Sequence, residues 1–121
     1  MFHTPKSTVK SVLLEWYRHR AKDKFTEFAE PWIQRFEQYD VRPEGIFIQE
    51  MPTRWGSCTA TGKIILNPEL IKAPKACIEY VIIHELCHLI HKHHTHKFFQ
   101  MQSTFMPDWE KWKNKLEAVL V

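Results

Sequence analysis

Apolar residues recur at close to helical period through the first third of the chain. Charged residues separate them, and the apolar positions are Val9, Val12, Leu13, Trp16, Tyr17, Ala21, Phe25 and Phe28. This spacing predicts a long amphipathic helix that starts near Thr4 and Pro5, residue types common at helix starts. Pro31 is expected to kink or restart the helix, because proline removes an amide donor and clashes with the preceding turn. We expect the aromatic side chains of the stripe to pack in the core, and beyond Pro31 it continues at Trp32, Ile33, Phe36 and Tyr39.

Between residues 40 and 67 the helical period gives way to short β-type segments. Residues 46–50 and 64–66 have the β-branched and aromatic content of strands, and Gly62 suits a turn before the second of them. We therefore expect residues 46–67 to form an antiparallel ribbon. By composition, the intervening Arg54-Trp-Gly-Ser-Cys58 segment is a tight corner around a packed tryptophan.

The second half of the chain is predicted to be helical. A short turn or helix starts at Asn67, and a helix that is apolar on nearly every side runs from about Pro74 to His91. A last helix is expected to start at Pro107-Asp108. The remaining apolar positions predicted to be helical are Phe98, Phe99, Met101, Trp109, Trp112, Leu116 and Leu120.

Three polar residues, His84, Glu85 and His88, interrupt the apolar helix. Histidines four apart lie on one face, one turn from each other, so two neutral imidazoles could hold one zinc ion. Glu85 is too far round the helix to be a ligand but could contact a water on the metal. This is the H-E-x-x-H geometry of zinc hydrolases, with the glutamate as general base. The buried setting supports it, since such a helix would not bury three polar groups without partners.

The third protein ligand of a catalytic zinc site is not fixed by spacing. Candidates are His91, His93, His94 and His96. His91 would share the face of His84 but lie about 10 Å further along the axis. His94 becomes a ligand only if the chain turns near residues 92–93. Spacing leaves the choice open.

Bulk composition bounds the class of protein. The 121 residues, with 44% hydrophobic content, fit one compact domain over residues 1–121. The net charge of +3 is dispersed, which allows nucleic-acid binding but does not indicate it. Three cysteines without C-x-x-C spacing indicate buried thiols in a reducing compartment. With no signal-peptide-like or membrane-spanning stretch, we expect a soluble, cytoplasmic protein without membrane partners. The oligomeric state does not follow from the sequence.

Several motifs occur in a defined order along the chain. They are Arg54-Trp-Gly-Ser-Cys58, Gly62-x-Ile-x-Leu-Asn67, Tyr80-Val81, His84-Glu-Leu-x-His88, His94-Thr-x-x-Phe98 and Pro107-Asp108. From about Leu14 to Leu116 the chain resembles the YgjP-like metallopeptidases, relatives of the SprT-like and WLM zincins. The resemblance implies an α+β, zincin-like fold with a long N-terminal helix, a small antiparallel β-ribbon or sheet, a central H-E-x-x-H helix and a C-terminal helix. Longer members carry further strands ahead of the first helix, so by this resemblance the sequence is expected to be either a short natural version of the domain or a fragment of a longer one.

The same resemblance implies roles for individual residues. The family places a His-Ser/Thr pair six residues after the second helix histidine, which makes His94 the third ligand of Zn²⁺ beside His84 and His88. The implied substrate is a peptide or protein, which could add to a strand of the ribbon by main-chain hydrogen bonds. Arg54 and Tyr80 are candidates for stabilising the oxyanion.

Two other functions are consistent with the sequence. A metal-dependent nucleotide (UTP-type) pyrophosphatase would need cations for phosphate, such as Arg54, Lys63 and the cluster between Arg18 and Lys24, although the chain has no Gly-rich phosphate loop. A non-catalytic, zinc-stabilised binding domain would need a fourth protein ligand such as His91. A role on DNA follows only by analogy with the SprT-like relatives.

Overall fold

Four helices and three short strands make up residues 5–120, the part of the chain that a computed structural model describes, with side chains from residues 12–118. The helices are α1 (Pro5–Phe36), α2 (Lys75–Cys87), α3 (His96–Phe105) and α4 (Trp109–Leu120). The strands are β1 (Gly45–Ile48), β2 (Gly56–Cys58) and β3 (Lys63–Leu66). Two 3-10 turns, Glu37–Tyr39 and Pro68–Lys72, complete the order. The α+β class, the long N-terminal helix, the central helix and the C-terminal helix are confirmed.

Helix α1 is one continuous helix through Pro31, so it does not restart there. Proline leaves one carbonyl of the preceding turn without its donor, and burial of Ile33 and Phe36 beyond it offsets that loss. The buried stripe starts only at Ala21. Trp16 and Tyr17 are 52% and 46% exposed, so the expectation that they pack in the core is wrong. The predicted cap at Thr4 lies outside the described residues.

The sheet has the strand order β1-β3-β2. β2 and β3 form an antiparallel pair, joined by a turn in which Gly62 has a φ of 91°. β2 was not predicted, because residues 54–58 were expected to form a tight corner and the antiparallel pair was expected between residues 46–50 and 64–66. β1 pairs with β3 in parallel, with Gly45 opposite Lys63, so the sheet is mixed rather than an antiparallel ribbon. The three strands do alternate in direction along the chain, but β3 inserts between the other two. β2 consequently becomes an edge strand.

The core surrounds α2, nine of whose residues are buried between α1, the sheet, α3 and α4. Helix α2 ends at Cys87, one turn earlier than predicted. Asn67 starts the expected 3-10 turn, accepting a hydrogen bond at 3.0 Å from the amide of Glu69. Cys77 and Cys87 are buried, Cys58 is half-buried, and all three are free thiols. None of the described helices combines the length and apolar character needed to span a bilayer.

Candidate metal centre

Three imidazoles converge where α2 ends. His84 lies on α2, His88 directly follows its last residue, and His94 lies ahead of α3 after bends at residues 92 and 93. The Nε2 atom of His94 is 3.1 Å from Nε2 of His84 and 3.1 Å from Nε2 of His88. Among the His, Cys, Asp and Glu side chains of the described residues, these three histidines are the group whose donor atoms lie close enough together to share one ion.

The opposite ring nitrogens of two of these histidines fix their tautomers. Nδ1 of His84 is 2.7 Å from Oε1 of Gln102, and Nδ1 of His88 is 3.1 Å from the backbone carbonyl of His91. Both partners are acceptors, so each Nδ1 must carry the hydrogen and donate it. In the neutral ring, Nε2 is then left with a bare lone pair.

These lone pairs fit a bound cation. Burial lowers the pKa of His84 to about 4 and also lowers the pKa of His88, so both rings are neutral at physiological pH. His94 could donate an Nε2 hydrogen to one of these lone pairs but not fully to both, so at least one of the two 3.1 Å contacts would bring acceptors together unless a positive charge lay between them. Zinc–nitrogen bonds of 2.0–2.1 Å at tetrahedral angles place neighbouring nitrogens about 3.3 Å apart. The donor set therefore fits a divalent metal such as zinc, with one face of the group open to solvent.

The ring of Phe98 packs against all three imidazoles. It is fully buried on α3, and its ring centroid lies 4.6 Å from that of His88 and 4.9 Å from those of His84 and His94. Thr95 caps α3 by accepting a hydrogen bond at 3.4 Å from the amide of Phe98. The cap fixes the start of α3 at His96, two residues after His94. The third imidazole is thus positioned by the start of a helix.

Glu85 is only 6% exposed and lines the same cavity as the three histidines. Burial raises the pKa of its carboxyl to about 7, although the positive charge of Arg54 acts in the opposite direction. The backbone of β2 passes directly over it. A Cβ atom on Gly56 would lie 3.2 Å from Oε2 of Glu85 and 2.8 Å from Cγ1 of Val81. Glycine is therefore the residue that lets β2 lie this close to the carboxylate.

The cavity in front of the histidines has a volume of about 1000 Å³ and opens to solvent. β2 forms one wall along its whole length, and within the sheet it pairs only with β3. The loop before β2 is fixed by Asn67, whose Nδ2 donates to the carbonyls of Met51 (2.8 Å) and Arg54 (3.1 Å). An unpaired strand edge beside a charged, solvent-accessible site can accept an extended chain.

The other sequence candidates are positioned differently. The side chains of His91, His93 and His96 are outside the histidine group, and His91 contributes its backbone carbonyl instead. Arg54 lines the cavity. Tyr80 does not; its ring stacks on Trp109 with centroids 6.2 Å apart, and burial raises the pKa of its hydroxyl to about 12.

Sequence reasoning missed two residues that shape the site. Gln102 contacts His84, and Gly56 gives Glu85 its space. The signal for Gln102 was available, because it shares the buried face of α3 with Phe98 and Phe105 at helical spacing and is the one polar residue there. The role of Gly56 depends on the packing of β2 against α2, which no local pattern contains.

Comparison with known proteins gives a family and a fold. Two crystal structures of metallopeptidase zymogens are similar, each at 19% sequence identity. Abylysin from Pyrococcus abyssi has a TM-score of 0.66 over 76% of this chain and 94% of that chain. Jannalysin from Methanocaldococcus jannaschii has a TM-score of 0.67 over 80% and 97%. A search of curated proteins found no significant match.

These structures share the fold with this protein, whereas the family follows from sequence. The model of the YgjP-like, metallopeptidase domain matches residues 2–119, which is nearly the whole chain. The matched range contains the three convergent histidines and Glu85. The chain belongs to the YgjP-like metallopeptidase family.

Proposed function

We propose that the protein is a zinc-dependent peptidase in which His84, His88 and His94 hold the ion and Glu85 is the general base. The observation that carries this proposal is the convergence of three Nε2 atoms in a cavity that Glu85 also lines. Nε2 of His94 is 3.1 Å from Nε2 of each of the other two histidines. Three nitrogen ligands with an open solvent side are typical of catalytic rather than structural zinc sites.

The chemistry divides between the ion and the carboxylate. When bound, zinc supplies a Lewis acid that lowers the pKa of a coordinated water from 15.7 toward about 7. The carboxylate of Glu85 accepts the proton of the attacking water and returns it to the leaving amine. Its burial keeps bulk water away from this transfer, and the close backbone of Gly56 restricts its rotation.

The substrate strand is proposed to lie along β2. The outer edge of Gly56–Cys58 lies on the cavity wall, and an extended peptide could pair with it by main-chain hydrogen bonds. Such pairing positions a peptide backbone with little regard to its side chains. The cavity is accordingly suited to a peptide or protein segment that is already unfolded.

Arg54 is the better supported of the two candidates for stabilising the oxyanion. It lines the cavity close enough to lower the pKa of Glu85, while Tyr80 is stacked against Trp109 outside the cavity wall. A guanidinium at that position can donate hydrogen bonds to a developing negative charge.

The two alternatives gain less support from the described residues. Of the cations that a pyrophosphatase would need, Arg54 lines the histidine cavity, whereas Arg18 and Lys22 line a separate groove and Lys63 covers the ring of Phe47. For a closed structural zinc site, His91 offers a backbone carbonyl to His88 rather than a fourth ligand to the ion.

The test is Glu85→Gln, compared with Glu79→Gln on another face of α2, where Glu79 accepts a hydrogen bond from Trp32. Both variants are loaded with zinc, and hydrolysis of casein and of a mixed peptide library is followed by mass spectrometry. We expect Glu85→Gln to bind one zinc and lose 10²–10⁴-fold in rate, the usual contribution of a general base, while Glu79→Gln retains activity. Full activity in zinc-loaded Glu85→Gln, or release of pyrophosphate from UTP without peptide cleavage, would contradict the proposal.

A further inference from the structure

We infer that Gln102 is a positioning residue of the metal centre, holding His84 in the tautomer that presents a bare Nε2 to the ion. The inference rests on the proposed function in that it assumes an ion at the three histidines. It also concerns the hydrogen bonding of the imidazole without an ion, and can therefore be tested in metal-free protein.

Gln102 is buried completely on α3, among the aromatic side chains that support the site. Its Oε1 accepts from Nδ1 of His84 at 2.7 Å. Its Nε2 is also buried and has no hydrogen-bond partner among the described residues. A buried amide nitrogen without a partner destabilises a fold. A gain in stability therefore does not explain why a glutamine is buried at this position. Its hydrogen bond to His84 does explain it.

The orientation of the carboxamide determines the state of the imidazole. If Oε1 faces Nδ1, the ring donates from Nδ1 and Nε2 is a lone pair; if the amide nitrogen faced Nδ1, the hydrogen would be on Nε2 and the ring could not ligate. For His88 the same task is performed by the backbone carbonyl of His91, which no substitution removes. Gln102 is thus a side chain whose hydrogen bond to a histidine of this site can be removed by mutation.

The neutral charge of the carboxamide has a further consequence. A carboxylate in its place would accept the same hydrogen bond but would add a negative charge behind His84, which strengthens cation binding. Gln102 holds the ring without reducing the net positive charge of an ion at the site. Gln102→Glu consequently preserves the hydrogen-bond acceptor for Nδ1 of His84. It is the conservative variant, which should retain the zinc binding that Gln102→Met loses.

The experiment compares Gln102→Met and Gln102→Glu with wild type, and uses Glu79→Met as a control that removes a 2.7 Å hydrogen bond from another face of α2. Zinc affinity is measured by competition with a chromophoric chelator. The tautomer of His84 is measured in metal-free protein from assigned ¹⁵N imidazole shifts, and stability is measured by urea unfolding.

We expect Gln102→Met to weaken zinc binding 10–100-fold and to lose the pure Nδ1–H tautomer of His84, without a lower urea midpoint because the unpaired amide is also removed. Gln102→Glu should bind zinc at least as tightly as wild type and keep the hydrogen on Nδ1 of His84, and Glu79→Met should keep the wild-type affinity and tautomer. Wild-type affinity and tautomer in Gln102→Met would overturn the inference, as would weaker binding that follows only a lower urea midpoint. If wild type bound no zinc the proposed function would fail, and the tautomer comparison would still decide the role of Gln102.

Discussion

At the scale of single residues, the site depends on how closely β2 approaches Glu85. A methyl group on Gly56 would meet Val81 at 2.8 Å and both Glu85 and Leu66 at 3.2 Å. We expect Gly56→Ala to displace the carboxylate and reduce kcat/KM for peptide hydrolysis at least tenfold with zinc retained, and to destabilise the fold by about 1–3 kcal/mol through overpacking.

Gly45→Ala is the matched control for this substitution. Its added methyl group would meet only the ring of Phe47, an exposed side chain of β1 that can move. Activity of Gly45→Ala should stay near wild type. Equal losses in the two variants would show that general strain in the sheet, rather than the space over Glu85, is responsible.

Glu85 also predicts a pH dependence for the metal-free protein. Because folding raises the pKa of this carboxyl to about 7, its contribution to stability is present at low pH and is lost as the pH rises through 7. The free energy of unfolding of Glu85→Gln should therefore exceed that of wild type by about 1–3 kcal/mol at pH 8. This difference should disappear near pH 4.5. Urea unfolding in the presence of a chelator measures it, and a pH-independent difference would contradict the account.

The residues of the site were predictable to different degrees. His84 and His88 are brought together by helical geometry alone, so their spacing predicted the pair. His94 depends on a bend and on the start of α3, and spacing left it equal to its neighbours. Gln102 and Gly56 act through contacts between elements distant in sequence, which periodicity does not encode.

At the scale of elements, the cap of α3 couples helix formation to the third imidazole. Thr95→Ala removes the acceptor for the amide of Phe98, and we expect it to lower the free energy of unfolding by about 1 kcal/mol and to weaken zinc binding. Thr104→Ala, which removes a hydrogen bond from Oγ1 to the carbonyl of Gln100 within the same helix, should leave zinc affinity unchanged. If the two variants bound zinc with equal affinity, the Thr95 cap would have no role in positioning His94 for the ion.

Helices and strands were predicted well where a local sequence pattern determines them. They were predicted poorly where contacts between distant elements determine them. The four helices follow from periodicity, and β1, β3 and the turn at Gly62 follow from local composition, whereas β2 was predicted as a corner. The insertion of β3 between β1 and β2 does not follow from a local pattern, because apolar patterns look alike in parallel and antiparallel strands. The exposure of Trp16 and Tyr17 was missed because periodicity predicts an apolar stripe but not whether another element covers it.

At the scale of the whole molecule, an ion at the histidines would link the end of α2 to the loop before α3. Zinc at a hundredfold excess over its Kd should stabilise the fold by about 2.7 kcal/mol, so a chelator should lower the Tm by about 10 °C. His94→Ala should abolish this dependence on metal, while His96→Ala should retain it. Thermal unfolding with and without chelator measures the effect, and a chelator-insensitive wild type would contradict it.

The most direct measurement is a crystal structure of the zinc-loaded protein with anomalous diffraction at the zinc edge. The account predicts one ion bound by Nε2 of His84, His88 and His94, with a non-protein ligand in the remaining position and the Glu85 carboxylate beside it. An ion at other residues, or one closed by a fourth protein side chain, would contradict it.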